Sequence, residues 1–265
     1  MSSRRVLILG ASGLLGGHLA ARLPASFHTL LPPERVDAQA PDTMRAAIEA
    51  TRPDVVVNAI GAKPSAGAAA MARVNGQFPL ELAAACERSS ARVVHISSDG
   101  VFSGQQGGYS ETDRPDPIDD HGRSKLAGEL PAPHLTLRTS FFGRTARGTG
   151  LIEWLVSQPA PVVNGLADYR FTGIAAALLA DLVAAAIAGG LSGVYHVGGD
   201  PMSKCHLLTA AAACLRLDVV VQPVTGGRID RTLDSTRFFA AIGRSRPTLA
   251  QSMESLALHG ALSRR

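Results

Sequence analysis

The sequence predicts an α/β protein, a doubly wound parallel sheet with a smaller C-terminal lobe. Two observations carry this. Short apolar runs alternate with Ala/Leu-rich stretches of helical length, the pattern of repeated βαβ units. The first run leads straight into a glycine-rich turn and a helix. A chain of 265 residues with 46% hydrophobic content is long enough to bury a large core, as one domain or two closely joined ones.

Strands are expected at 6–9, 27–31, 55–60, 92–96, 135–139 and 194–197, and helices at about 14–23, 42–51, 75–89, 120–130 and 172–188. Val6-Leu-Ile-Leu9 and Val55-Val56-Val57 show no polar alternation, as strands covered on both faces require. Asp42 is placed to cap the second helix, and Pro53 ends it before the third strand. Stretches rich in Gly, Pro and Asp at 99–119, 143–150, 159–170 and 222–230 read as loops. In α/β sheets, ligands bind beyond the carboxyl ends of the strands, where such loops gather. The expected division is a nucleotide-binding domain over 1–142, with a returning segment near 170–198, and a discontinuous substrate-binding lobe over 143–265.

Charge narrows the class of function. The net charge of +4 comes from 26 basic and 22 acidic residues that are scattered rather than massed, which argues against a nucleic-acid partner. Cys86, Cys205 and Cys214 show no CxxC spacing, so no disulfide framework and no metal site is expected, and a reducing cytoplasm fits. The apolar run after Arg4-Arg5 is too short for a signal segment, and no stretch approaches the roughly 18 apolar residues of a membrane helix, so no membrane partner is expected.

The turn Gly10-Ala-Ser-Gly13-Leu-Leu-Gly16 has the chemistry of a dinucleotide site. The first glycine permits a tight turn, the second lets backbone approach a pyrophosphate, and the third lets the helix pack close on the strand. The amides opening that helix would face the phosphates, which makes Gly10, Ser12, Gly13, Leu14, Leu15 and Gly16 the expected cofactor contacts.

Two further stretches carry a resemblance. Ile96-Ser-Ser-Asp-Gly-Val-Phe-Ser-Gly104 is followed by His121-Gly-Arg-Ser-Lys125-Leu-Ala-Gly-Glu129. Together with the glycine spacing, this resembles the extended short-chain dehydrogenase/reductases. The most similar branch is the dTDP-4-dehydrorhamnose reductases, whose corresponding stretches read Ser-Thr-Asp-Tyr-Val-Phe-x-Gly and Tyr-Gly-x-x-Lys-Leu-Ala-Gly-Glu. The resemblance implies a Rossmann-type fold and NADP(H) or NAD(H) as cofactor. It also implies a nucleotide-sugar substrate bearing a 4-keto-6-deoxyhexose keto group, with a homodimer allowed. It adds Asp37 and Ala38, the segment Asn58-Ala59-Ile60-Gly61, and Lys125 to the cofactor contacts. Glu34 and Arg35 at the end of the second strand leave the phosphate preference open. Arg35, with Arg22 or Arg52, would suit a 2′-phosphate and favours NADP(H).

The expected catalytic residues are Ser98, His121 and Lys125. In the family a Tyr delivers the proton, a Lys lowers its pKa and holds the ribose, and a Ser or Thr hydrogen-bonds the carbonyl oxygen. Here His121 occupies the Tyr position, four residues before Lys125 and so on the same helix face. Three roles are open to it. As an acid, its ordinary pKa of about 6.5 sits near neutrality, and the Lys125 ammonium would push it down. As an orienting group, it would leave the proton to Ser98 or water. As a relic, it would mark a nucleotide-binding regulatory subunit without turnover. A sugar-nucleotide epimerase is a further alternative, although those enzymes usually keep the Tyr. Tyr109 reads as a packing residue rather than a surrogate donor, and Arg228 and Arg231 are either phosphate contacts or solvated surface.

Overall fold

A computed structural model describes residues 3–145 and 148–259. The main sheet is built from β1 (Arg4–Leu9), β2 (Phe27–Leu30), β3 (Val55–Asn58), β4 (Arg92–Ile96), β5 (Leu135–Thr139) and the strand Gly193–Val197. Its order is Gly193–Val197, β5, β4, β3, β1, β2, and the pairings among β1 to β5 are all parallel. The order reverses at β1 and β3, so their carboxyl ends open the crevice in which such sheets take ligands.

The helices between β1 and β5 are α1 (Leu14–Arg22), α2 (Pro41–Thr51), α3 (Ala68–Met71), α4 (Phe78–Arg88) and α5 (Asp120–Ala127). In α2 the residues Met44, Ala47, Ile48 and Thr51 fall at helical spacing and are the buried ones. Met44, Ala47 and Ile48 pack with Leu7, Leu9, Val56, Phe78 and Leu82 in one core. The α2 start differs from expectation. Pro41 takes the first helical position, Ala40 is the cap and supplies no side-chain bond, and Asp42 pairs with Arg45 at 2.5 Å instead. Proline suits that position because its missing N–H would have been unpaired there anyway. Arg52, at φ 43°, closes the helix ahead of Pro53.

Two compact units emerge. One comprises 1–102, 114–138 and 180–195, the other 103–113, 139–179 and 196–265. The segment 103–113 falls in the second unit, and 180–195 in the first. The second unit has its own core, in which Phe142, Ile152, Leu155, Val163, Leu207, Leu208 and Ala211 meet.

Two stretches that read as loops contain strands. Val162–Leu166 pairs in parallel with Val220–Val224, and Tyr169–Phe171 pairs with both Ile229–Arg231 and Met202–Ser203. Gly165 and Pro223 lie opposite each other in the first of these pairs. In a two-stranded sheet every strand is an edge, so a proline costs little, and the glycine leaves room where a Cβ would stand 2.8 Å from the Cys205 Cα.

Candidate functional site

The glycine turn is built as its spacing requires. Gly10 adopts φ +86°, and a Cβ there would stand 2.9 Å from the Ala59 carbonyl carbon, so only glycine lets the turn lie against the end of β3. A Cβ on Gly16 would stand 2.1 Å from the Gly10 carbonyl oxygen. Gly13 donates its N–H to that same oxygen at 2.9 Å and stands at the N-cap of α1 without a side chain to cap it. The first-turn amides of α1 are therefore available to an anion at the positive end of the helix. Leu14 is half-buried and Ser12 exposed at the turn, whereas the Leu15 side chain is 3% exposed and belongs to the core. Leu15 has only its backbone to offer a ligand.

The other expected cofactor residues divide. Ala38 packs its methyl into the core beside Val36. Asp37 is exposed, but its Oδ1 accepts the Gln39 N–H at 2.9 Å, which stiffens the loop. Asn58 is fully buried and spends its side chain internally. Its Oδ1 accepts from Ile60 N at 3.2 Å, and its Nδ2 donates to Nδ1 of His95, directly opposite on β4, at 3.2 Å. Asn58 thus shapes the Ala59-Ile60-Gly61 backbone, which stays at the surface of the crevice. Arg22 forks onto Asp181, with Nη2 to Oδ2 at 2.6 Å. Arg35 stays exposed.

Lys125 is 7% exposed and donates its Nζ to the Ile96 carbonyl oxygen at the end of β4, at 3.0 Å. A Cβ on Gly61 would stand 3.3 Å from that Nζ, so the absence of a side chain at the β3 end gives the ammonium its place. Burial pushes its pKa down from 10.5 to about 8. His95 is buried beside it, and burial first, then the Lys125 charge, hold the imidazole well below its ordinary value and so neutral. Because the Asn58 amide nitrogen can only donate, His95 Nδ1 accepts and the ring proton sits on Nε2.

Ser98 lies half-buried at the start of the turn Asp99–Val101. Its Oγ accepts the Gly100 N–H at 3.0 Å and faces Asp99 Oδ1 at 3.3 Å, the long second contact of a hydroxyl that can turn to another acceptor. Ser97 is different, 3% exposed and donating to Glu129 Oε1 at 2.8 Å. His121 is half-buried in the first turn of α5, whose cap is Asp119 accepting the Gly122 N–H at 2.7 Å. Ser98, His121 and Lys125 all fall within the first unit.

Several residues of this site escaped the sequence reading. Asn75 sits in the π-helical turn Ala72–Gln77, fully buried, a distortion that recurs at functional sites. Its Oδ1 accepts from Ala62 N at 2.8 Å, and its Nδ2 donates to Ala62 O at 3.0 Å and to Ser124 Oγ at 3.1 Å, while Ser124 donates to the His121 carbonyl at 2.8 Å. It ties the Gly61-Ala62 loop to α5. The sequence around it, Arg73-Val-Asn-Gly-Gln77, is polar enough that Asn75 does not stand out. Within the second unit, the Tyr109 hydroxyl accepts from Gly104 N and Gln106 N and is a packing group, as expected. Arg231 is 8% exposed with Nη1 donating to the Tyr169 hydroxyl at 3.4 Å, so it is not solvated surface. Among the described residues no cluster of three or more His, Cys, Asp or Glu could hold a metal ion.

A doubly wound sheet, a glycine turn at its switch point and a buried lysine beneath the next strand ends define a Rossmann-type protein of the short-chain dehydrogenase/reductase kind. The family model described as RmlD substrate binding domain matches residues 4–232, and the chain belongs to that family. It is 33% identical over 225 residues to the dTDP-4-dehydrorhamnose reductase of Burkholderia thailandensis, covering 76% of this chain and 75% of that protein. It is also 33% identical over 208 residues to the dTDP-4-keto-6-deoxy-D-glucose reductase of Streptomyces niveus, covering 72% of each. The crystal structure of dTDP-4-dehydrorhamnose reductase from Bacillus anthracis in complex with NADP superposes with a TM-score of 0.87 at 22% identity, over 97% of this chain and 99% of that one.

Proposed function

We propose that this chain is an NAD(P)H-dependent reductase of a keto group on a nucleotide-activated deoxysugar, of the 4-keto-6-deoxyhexose type. Family membership supports the reaction class, and the two curated relatives are named for reducing such sugars. The observation that carries the reading is the Lys125 ammonium, buried against Gly61 beneath the cofactor crevice and held by Ile96. A buried lysine with a lowered pKa and a polar neighbourhood is what a catalytic site provides and a packing position avoids.

A bound nicotinamide would supply the hydride. The turn Gly10–Gly16 and the α1 amides would hold its pyrophosphate, and the Ala59-Ile60-Gly61 backbone would line its path. Lys125 would hold the ribose hydroxyls and keep positive charge beneath the reacting centre. The Ser98 hydroxyl donates to the substrate carbonyl oxygen, and His121 delivers the proton that the developing alkoxide requires. We place the activity in the cytoplasm, where three free cysteines persist. No helix among the described residues is long and apolar enough to cross a membrane.

The test follows NADPH and NADH oxidation by absorbance against a panel of 4-keto-6-deoxy nucleotide sugars, for the native chain and Lys125→Ala. Turnover by the native chain that the variant loses supports the reading. Cofactor binding without turnover of any member would replace it with a regulatory nucleotide-binding role.

A further inference from the structure

One buried ion pair joins three elements around Ser98. Glu129, just past the end of α5, receives Arg138 of β5 in a fork, Nε to Oε1 and Nη2 to Oε2, both at 2.8 Å. The side chains are 9% and 6% exposed. Oε1 of the same carboxylate accepts Ser97 Oγ at 2.8 Å. The guanidinium carbon lies 5.3 Å from the centroid of the Phe102 ring. Ser97 immediately precedes Ser98, and Phe102 immediately follows the turn that Ser98 caps. The pair therefore grips the Ser98 segment at both of its ends.

A buried ion pair is a poor source of net stability, because desolvation cancels much of the attraction, and apolar residues of equal volume would hold α5 to the sheet as well. Apolar residues could not fix the direction of a hydroxyl or the height of a ring through one rigid, planar fork. The same Glu129 directly follows Gly128, the cap of the helix that carries His121 and Lys125, so its bond to Ser97 ties that helix to the segment before Ser98. The Ser97 hydroxyl, with its proton given to a buried carboxylate, is not available to a substrate carbonyl.

We propose that Glu129 and Arg138, acting through Ser97 and Phe102, are positioning residues that hold the Ser98 hydroxyl in register with α5. This rests on the reductase reading above. Misplacement by a fraction of an ångström lowers the rate of a positioned reaction while leaving ligand binding largely intact.

Ser97→Ala and Glu129→Gln, singly and together, would be compared with the native chain in steady-state kinetics with NADPH and the keto sugar that the native chain turns over. The NADPH Kd by fluorescence and the Tm would be measured alongside. Ser97→Ala removes one small hydroxyl and keeps the fold even if Glu129→Gln proves unstable. The expected result for Ser97→Ala is a fall in kcat of about tenfold with Kd for NADPH and Tm within error of native. In the double variant the loss should not exceed that of Glu129→Gln alone, since both act through one contact. Native kcat in Ser97→Ala, multiplicative losses in the double variant, or a kcat loss matched by loss of NADPH affinity would each overturn the clamp while the reductase reading stands. A native chain without turnover on the panel would overturn both.

Discussion

The α5 backbone at Gly122 lies so close to Gly100 that a Cβ on Gly122 would stand 2.0 Å from the Gly100 carbonyl oxygen. This contact brings the helix bearing His121 and Lys125 onto the turn bearing Ser98. Gly122 is the residue just after His121, so a side chain there must push the start of the helix away from the turn. Gly122→Ala is expected to lower kcat by at least about tenfold and to destabilise the chain by about 1 to 3 kcal/mol, the usual cost of overpacking. Kinetics and urea unfolding of the variant check both, and native kcat would show that the contact does not set the site.

Lys125 carries a pH signature in stability. Its pKa in the folded chain, about 8, lies below the ordinary 10.5, so between those values the unfolded chain binds more protons and stability rises with pH. The burial cost is present below pH 8 and is relieved, to the order of 3 kcal/mol, as pH climbs toward 10.5. Cys86, pushed up to about 12 by burial, works in the opposite sense above pH 9. Urea unfolding of the native chain and of Lys125→Met, which shares Cys86, isolates the lysine. The native chain should gain on the variant between pH 8 and 10, and parallel curves would refute the assignment.

His95 acts at the acid end. Its imidazole is held neutral in the fold, so as pH falls below the ordinary 6.5 the unfolded chain takes up a proton that the folded chain refuses, and stability is lost. His95→Gln keeps an acceptor for the Asn58 amide and removes the titration. Its stability should decline less steeply than that of the native chain between pH 6.5 and 5, which guanidinium unfolding at several pH values measures.

His121 determines the alkaline limb of activity if it is the acid. An imidazolium is a stronger acid than a phenol, so native kcat should fall with rising pH sooner than that of a variant with tyrosine in its place. His121→Tyr, which restores the residue usual in the family, should extend the plateau by one pH unit or more. Identical pH–rate profiles for the two proteins would remove His121 from proton delivery and leave that step to Ser98 or water.

The alternation of apolar runs with helical stretches determined the main sheet, because strands buried on both faces must be continuously apolar and each crossover needs its own helix. Local backbone chemistry likewise made the Gly10–Gly16 turn legible, and the interval of four put His121 and Lys125 on one helix face. Only the tertiary structure decided which serine faces inward. Ser97 and Ser98 are equivalent as letters and differ because a carboxylate thirty-two residues away meets one of them. The side chains of Asn58, Leu15 and Ala38 make internal contacts, an outcome set by burial and pairing across the sheet. The short strands of the second unit were hidden for the same reason: Pro223 and Gly165 break every local strand rule, and only pairing at an edge makes them acceptable. Short-range periodicity is written in the sequence, whereas contacts between residues far apart along the chain depend on how the completed layers meet.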